Sequence, residues 1–409
     1  MKLKKMHLLM TTYMDKYPQL RHELDELHRM GLTRSLRQTE YVAKSQGTWI
    51  AANGQKLLNL SSNNYLGLSY DPRVLHSWEM TSQSFGAGGT SSRLVVGNFS
   101  CYDQTEKMIS RWKEREASLL FANGYMANLG CITALLDRHG AVYSDRLNHA
   151  SIVDGTLLSR AAHYRYRHND YEHLQYLLRK HKGNHRRNLI VTDTVFSMDG
   201  DKADVEELVR IKHDHGVFLM VDEAHAGGVY GKSGAGLCHQ YGVHQEVDIL
   251  MGTCSKALGL YGAYVCADQV VIDYLVHTCR PLIYSTSLPP ALISAIGQSV
   301  AIVQQEDWRR KELYRKSKQF RMKLQQAGLL VPAGDSPIVP LLLGDNQTAI
   351  QYSKRLEQEG ILAVAIRPPT VPENSARIRF SLMATHSDED LARATHKIIR
   401  TAIELGVIT

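Results

Sequence analysis

L-I-V-T-D-T-V-F-S-M-D-G-D-K-A-D-V-E-E-L-V-R-I-K-H-D-H-G-V-F-L-M-V-D-E-A-H, residues 189–225, holds two apolar runs that each lead into a carboxylate. Leu189–Phe196 and Val217–His225 have the length and composition of buried strands. Between them Asp204–His215 is helical in pattern and is closed by Gly216. Outward from this stretch, Ala141–Asp145 and Ile249–Lys256 repeat the strand pattern. Short strands separated by helices imply a mainly parallel sheet with right-handed crossovers. In such sheets ligands gather at the carboxyl ends of the strands. Asp145, Asp193, Asp222, His225 and Lys256 all fall at those ends, which is the first functional signal in the chain.

The rest of the sequence organises around this unit. Residues 1–60 read as an arm: Tyr17–Met30 is helical, with Leu20, Leu24 and Leu27 on one face and Gly31 ending it, and Thr48–Leu60 reads as a hairpin turning at Asn53-Gly54. Residues 61–290 form the large α/β domain, and residues 291–409 a linking helix and a smaller α+β domain. One long helix is expected from Pro290 to about Gln326. Strands are expected at Ile338–Leu343 and Ala376–Leu382, and helices at Thr348–Glu357 and Asp388–Leu405.

Composition excludes several classes. With 48 basic and 41 acidic residues the net charge is +7, but the surplus is not clustered as a nucleic-acid face requires. The basic run Arg309–Lys318 reads as the solvated face of a helix. No run approaches the roughly 20 apolar residues that cross a bilayer. Met1–Met10 has lysines before a short apolar stretch that Asp15 and Lys16 follow, with no small-residue cleavage site, so no signal peptide is read there. Cys101, Cys131, Cys238, Cys254, Cys266 and Cys279 are scattered, the pattern of reduced buried thiols in a cytoplasmic protein, and no zinc site is visible.

Four segments carry chemistry. V-D-E-A-H (221–225) sets a carboxylate and an imidazole at a strand end. G-T-C-S-K-A-L-G (252–259) puts Lys256 directly after an apolar strand, where burial lowers an amine's pKa and suits it to carbonyl chemistry. Thr253 and Ser255 beside it are phosphate donors. Gly124-Tyr125 opens a helix whose free amides suit a phosphate. His149 lies just beyond Asp145. A pyridine cofactor needs a face to stack on, an acid for its ring nitrogen, a polar contact for its phenolic oxygen, amides for its phosphate and an amine for its aldehyde. His149, Asp222, Ser197 or His225, Gly124-Tyr125 and Lys256 meet those needs in the order of one sheet's successive loops.

With these segments in view, the chain resembles the α-oxoamine synthase family of fold-type-I pyridoxal-phosphate enzymes. The matching segments are S-S-N-N-Y-L-G-L (61–68), F-A-N-G-Y-M-A-N (121–128), S-D-R-L-N-H-A-S (144–151), T-D-T-V-F-S-M-D-G-D (192–201), D-E-A-H (222–225), G-T-C-S-K-A-L-G (252–259) and Y-S-T-S-L-P-P (284–290). The resemblance implies an aspartate aminotransferase-like fold, with a mainly parallel seven-stranded sheet, helices on both faces and a smaller C-terminal α+β domain. It implies pyridoxal 5'-phosphate as cofactor and condensation of an amino acid with an acyl thioester, with loss of carbon dioxide. By the same resemblance Lys256, His149 and Asp222 are catalytic. Gly124, Tyr125, Ser197, His225, Thr253 and Thr286 are further cofactor contacts, with Thr286 reaching in from the neighbouring subunit of a homodimer.

A-I-R-P-P-T-V-P (365–372), A-R-I-R (376–379), A-T-H (384–386) and G-L-T-R-S-L-R (31–37) are similar to members that use L-alanine and a pimeloyl thioester of coenzyme A or a carrier protein. The alternatives are a glycine-using synthase of the same family and a non-catalytic relative that only binds. Arg379 is then the partner of the amino-acid carboxylate, Asn63 a contact from the partner subunit, and Arg367, Thr370 and Arg34 or Arg37 the acyl-substrate contacts. The chain departs from the family pattern at Thr194, where glycine is common, at Ala226-Gly227, where a hydroxyl is common, and at Leu260-Tyr261.

Overall fold

The computed structural model describes residues 16–408; the Met1–Met10 stretch lies outside them. Seven strands build the central sheet: β4 (Ala117–Phe121), β5 (Gly140–Asp145), β6 (Ala162–Tyr166), β7 (Arg187–Asp193), β8 (Phe218–Asp222), β9 (Ile249–Thr253) and β10 (Ala263–Ala267). Their order is β4-β10-β9-β8-β7-β5-β6. From β9 to β6 all neighbours are parallel, while β10 runs antiparallel between β9 and β4. Six strands therefore point the same way, and their carboxyl ends converge on one rim. A parallel sheet must be covered on both faces. Along β7, Leu189 and Val191 join the apolar cluster of one face and Ile190 that of the other.

Before the sheet come α1 (Pro18–Arg29), β1 (Glu40–Tyr41), β2 (Trp49–Ala52), β3 (Gln55–Asn59), α2 (Pro72–Phe85) and α3 (Ser100–Trp112). The hairpin of β2 and β3 turns at Asn53 and Gly54, both at positive φ. The helices between the strands are α4 (Gly124–Leu135), α5 (Ala150–Ser159), α6 (Tyr171–Lys180), α7 (Val205–His215) and α8 (Leu237–Gln240). Asp204 caps α7 by accepting from the Glu207 amide, and Gly216 ends it in the left-handed region. After the sheet follow α9 (Gln269–Thr278), α10 (Arg280–Ile283), α11 (Pro290–Gln305) and α12 (Asp307–Gln326). The last unit holds β11 (Ile338–Gly344), α13 (Asn346–Gln358), β12 (Ile361–Leu362), β13 (Val364–Ile366), β14 (Ala376–Ser381) and α14 (Asp388–Glu404). Its antiparallel sheet has the order β11-β14-β13, while β12 pairs with β3, so the arm's hairpin extends into the C-terminal unit.

Two expectations are corrected. The single helix from Pro290 to Gln326 is two, broken at Glu306, whose φ of −106° and ψ of 69° leave the helical region. Its carboxylate turns to Arg309 at 2.7 Å and Arg73 at 2.8 Å. The basic run Arg309–Lys318 is not simply a solvated face: Arg309, Arg310 and Lys316 are buried. Arg309 donates to the Leu66 carbonyl at 2.8 Å, Arg310 to the Val303 carbonyl at 2.5 Å and Lys316 to the Ala384 carbonyl at 2.5 Å. The long aliphatic stems pack while the heads satisfy backbone carbonyls. All six cysteines are buried and unpaired. No helix among the described residues is long and apolar enough to cross a membrane.

Candidate active site

The rim of the central sheet draws together groups from five separate segments. Asp222 ends β8, buried, where its Oδ2 accepts from Asn128 Nδ2 and its Oδ1 from the Ala224 amide, both at 2.8 Å. Thr194, one of the departures from the family pattern, donates its amide at 2.9 Å and its hydroxyl at 3.1 Å to the Asp222 carbonyl and so fixes the strand end. Another departure also has a steric reason: a Cβ at Gly227 would meet the Tyr264 hydroxyl at 2.8 Å. Lys256 follows β9 and is half-buried, with no hydrogen-bond acceptor within reach among the described residues. Burial holds its ammonium below the usual lysine range, against the pull of Asp222 and Asp193.

Asp193 ends β7, in register with Asp222. Burial and the Asp222 carboxylate push its carboxyl well above the ordinary range, and its Oδ2 accepts the His149 amide at 2.8 Å. His149 is the residue before α5; its Nδ1 meets Ser151 Oγ at 2.8 Å, and Ser151 also accepts from Asn128 at 2.9 Å. His225 is buried with its Nδ1 2.7 Å from the Tyr65 hydroxyl, and burial, then Lys256 and Arg379, hold its pKa well below the usual value. The charges of Lys256, Asp222, Asp193, His149, His225 and Arg379 thus act on one another within one space.

A second cluster flanks them. Arg379, on β14, donates from Nε to the Ser197 carbonyl at 2.6 Å and from Nη1 to Ser381 Oγ at 2.8 Å. Both of its terminal nitrogens reach Asn63 Oδ1 at 3.2 Å, and Tyr65 donates to the same oxygen at 3.2 Å. Within the chain Asn63 meets Arg379 where the Ser61–Tyr65 segment crosses beside β14. The Leu60 carbonyl accepts the Ser381 amide at 2.8 Å on the way.

At the start of α4, Asn123 caps by accepting the Met126 amide at 2.9 Å, and the amides of Gly124 and Tyr125 have no acceptor among the described residues. Thr253 Oγ1 lies 2.8 Å from Ser255 Oγ and donates to the Gly262 carbonyl at 3.0 Å. Thr286 is exposed. None of the expected acyl contacts bonds to the Lys256 cluster among the described residues. Arg367 grips the arm through the Gly31 carbonyl and, at 3.4 Å, the Thr33 carbonyl, beside exposed Arg34. Arg37 pairs with Glu357 at 2.7 Å, and the Thr370 amide closes on the Arg367 carbonyl at 3.1 Å. Sequence reasoning assigned no role to Tyr65 or Asn128, and marked Asp193 only as a strand-end carboxylate. Tyr65 and Asn128 stand inside quoted motifs, but only the fold reveals that they bond His225 and Asp222.

A lysine and a carboxylate at adjoining strand ends of a seven-stranded sheet, with free helix amides on the same rim, define a fold-type-I pyridoxal-phosphate enzyme. The residues fit that cofactor: a half-buried amine without an acceptor, a buried carboxylate, two unpaired amides, and an Asn128 Oδ1 buried without a partner. The model of the "Aminotransferase class I and II" family matches residues 55–398. A Bacillus cereus protein named "Putative 8-amino-7-oxononanoate synthase" is 48% identical over 95% of this chain and 97% of its own length. A serine palmitoyltransferase variant from S. paucimobilis with a bound PLP–myriocin adduct matches with a TM-score of 0.90 and 29% identity, over 96% of this chain and 99% of its own. An 8-amino-7-oxononanoate synthase from Francisella tularensis matches with a TM-score of 0.75 and 27% identity, over 86% of this chain and 99% of its own. The chain belongs to the class I and II aminotransferase family and, within it, to the α-oxoamine synthases; it is a pyridoxal-phosphate-dependent acyltransferase.

Proposed function

We propose that the chain condenses L-alanine with a pimeloyl thioester of coenzyme A or a carrier protein, giving 8-amino-7-oxononanoate, the free thiol and carbon dioxide, for biotin synthesis. The observation that carries the catalytic part is Lys256: an amine depressed by burial and free of hydrogen-bond acceptors, set across from Asp222 and Asp193. The substrate choice rests on the 48% identity to the Bacillus cereus relative and on the R-P-P-T segment at 367–370.

Lys256 would hold the cofactor aldehyde, and its amine is the base for the Cα proton of the amino acid. Asp222, fixed by Asn128 and the Ala224 amide, keeps the ring nitrogen protonated. Bound there, pyridoxal phosphate would supply an electron sink at the amino-acid Cα. His149 would cover the ring of the cofactor, and Ser197 and His225 would serve its phenolic oxygen. Gly124, Tyr125 and Thr253 take the phosphate on the helix start, joined by Thr286 of a second copy in a homodimer. Arg379 orients the amino-acid carboxylate with a planar fork that Asn63 steadies. The new bond joins Cα to the thioester carbonyl carbon, the thiolate leaves, the carboxylate is lost as carbon dioxide, and a proton returns to Cα. Arg367, Thr370 and Arg34 or Arg37 receive the acyl end. The setting is cytoplasmic.

Mass spectrometry of products from alanine, glycine and serine, each with pimeloyl, acetyl and palmitoyl thioesters, tests the reading. The expected product is the alanine–pimeloyl ketone. A preference for glycine with acetyl-coenzyme A overturns it in favour of a glycine C-acetyltransferase. No product from any pair, in protein that binds the cofactor, leaves a binding protein.

A further inference from the structure

Away from the rim, the residue after the C-terminal cap of α3 faces two imidazoles. Glu114 Oε1 lies 3.2 Å from His239 Nε2, and Glu114 Oε2 lies 3.3 Å from His244 Nε2. The possible ligand atoms of the three residues all fall within 4.8 Å of one another, and no other group of three His, Cys, Asp or Glu does so among the described residues. We propose that Glu114, His239 and His244 bind one divalent transition-metal cation, zinc by the character of the ligands, which clips the end of α3 to α8 and to the connection that follows it.

The two carboxylate–imidazole separations, 3.2 and 3.3 Å, match those of ligands that share an ion. Two donors each about 2.0–2.1 Å from a tetrahedral ion stand roughly 3.3–3.4 Å apart. Charge-assisted hydrogen bonds between a ring nitrogen and a carboxylate are shorter, about 2.7–2.9 Å. The Nδ1 atoms of both rings are buried without a partner, so each ring's polar contact is made at the Nε2 that faces Glu114. The rings stack, with centroids 4.5 Å apart and planes 26° apart, and both address one carboxylate. Two imidazoles and a carboxylate form a nitrogen–oxygen set suited to zinc, with water completing the shell. Glu114 is 55% exposed and each histidine 12%, which leaves a solvent side for that water.

The ligand-bearing backbones are tied together without help from any ion. Glu114 sits at φ 51°, in the left-handed region that few residues other than glycine adopt. Its carbonyl is held by the Gln245 side chain. Arg115, next in the chain, donates to the His244 carbonyl at 2.6 Å and also to the Val247 carbonyl. A site held in place this way loses little entropy when an ion arrives. The position also has a structural consequence. Lys113, before Glu114, pairs with Glu223 at 2.8 Å, and the amide of Cys238, before His239, donates to the same carboxylate at 2.8 Å. The ion would therefore clamp both ends of the buried link behind β8.

The test uses full-length holoenzyme stripped with a chelator and titrated with Zn²⁺, read by calorimetry and by the thermal midpoint. The expected result is one ion per chain and a midpoint raised by about 2 °C or more, since only the folded chain presents the set. Glu114→Gln and His244→Ala should each weaken binding by more than the roughly 10- to 100-fold that loss of an outer supporting residue costs, and remove the midpoint shift. The metal-free midpoint of Glu114→Gln, an exposed and nearly isosteric change, verifies folding. Absence of saturable binding overturns the proposal and leaves two histidine–carboxylate ion pairs. Stoichiometric binding that survives both substitutions also overturns it, placing the ion elsewhere.

Discussion

Asp222 and Glu223 are neighbours at the end of β8, both buried, and the chain completes the surroundings of only one. Glu223 Oε2 takes Lys113 Nζ at 2.8 Å and Oε1 takes the Cys238 amide, with neither side chain of the ion pair exposed at all. Lys113 also donates to the Ala235 carbonyl at 2.5 Å and lies 4.7 Å from the Trp112 ring centre. Gly236 leaves room for this pair: a Cβ there would lie 2.0 Å from Glu223 Oε2. Asp222 has only neutral donors bonded to it, and the nearby cation, Lys256, makes no bonded contact. A buried charge without a bonded counter-charge is costly unless something else meets it. Buried charge alone therefore does not mark function; what marks it here is the missing partner.

Lys256→Ala should break this contrast most sharply. The condensation rate should fall about 10⁴-fold, the upper range for loss of a positioned proton-transfer group, while the unfolding midpoint holds or rises. Free-thiol release and calorimetry read the two effects. A large drop in midpoint with residual turnover would make Lys256 a structural residue like Lys113.

Lys113→Met should behave in the opposite way. Removing one member of a buried pair costs about 3–5 kcal/mol by stranding the other, so denaturant unfolding should show that loss, while turnover per folded molecule holds within a few-fold. Lys113→Met combined with Glu223→Leu should regain most of the stability, since two apolar groups leave no stranded charge. If the single change leaves stability intact, the closed pair is not what secures the strand end.

His168 occupies the middle ground: a bridge that is closed but partly exposed. Its Nδ1 lies 3.0 Å from Asp145 and its Nε2 2.7 Å from Asp201. Burial works against the charged ring, but the two carboxylates outweigh it and raise its pKa to about 9. A folded-state pKa above the ordinary ~6.5 means that the stabilisation is full below pH 6.5 and is lost as pH rises through 9. Solvent on the exposed side limits the amount to about 1–3 kcal/mol. Urea unfolding of the wild type should weaken between pH 6.5 and 10, and His168→Gln should flatten that slope. An unchanged slope in the variant would assign the loss to other groups.

The same distinction explains what the sequence disclosed. The strand end at Asp145 was legible because the apolar run stops on a carboxylate, whereas the expected strands Leu189–Phe196 and Val217–His225 overran Asp193 and Asp222 by three residues; the α7 boundaries were legible because Asp204 and Gly216 are cap residues. The Asn53-Gly54 turn was legible for a similar local reason. The antiparallel β10 was not: Ala263–Ala267 is five residues long, and its place between β4 and β9 is set by pairing with distant segments. The break at Glu306 carries no glycine or proline signal; contacts with Arg73 and Arg309 accompany it. In the site, residues with distinctive chemistry such as Lys256 and Asp222 could be picked out, whereas Tyr65 and Asn128 matter through what they touch.

The basic run on α12 supplies the finest test, because Lys311 and Lys316 each have a carboxylate one turn away but differ in burial. Lys316 is buried on the Ala384 carbonyl, with Glu312 3.4 Å away, while Lys311 is 78% exposed and pairs with Asp307 at 2.9 Å across one helical turn. Lys316→Ala removes a charged donor from a buried carbonyl and should cost about 1–3 kcal/mol. Lys311→Ala loses a surface pair that solvent and salt already screen, and its effect should stay below about 0.5 kcal/mol. Parallel urea curves at low and high salt separate the two, because screening acts on Lys311 and not on the buried contact. Equal costs at the two positions would mean that α12 is stabilised by its charge pattern as a whole, and the distinction between closed and open charges would fail on this helix.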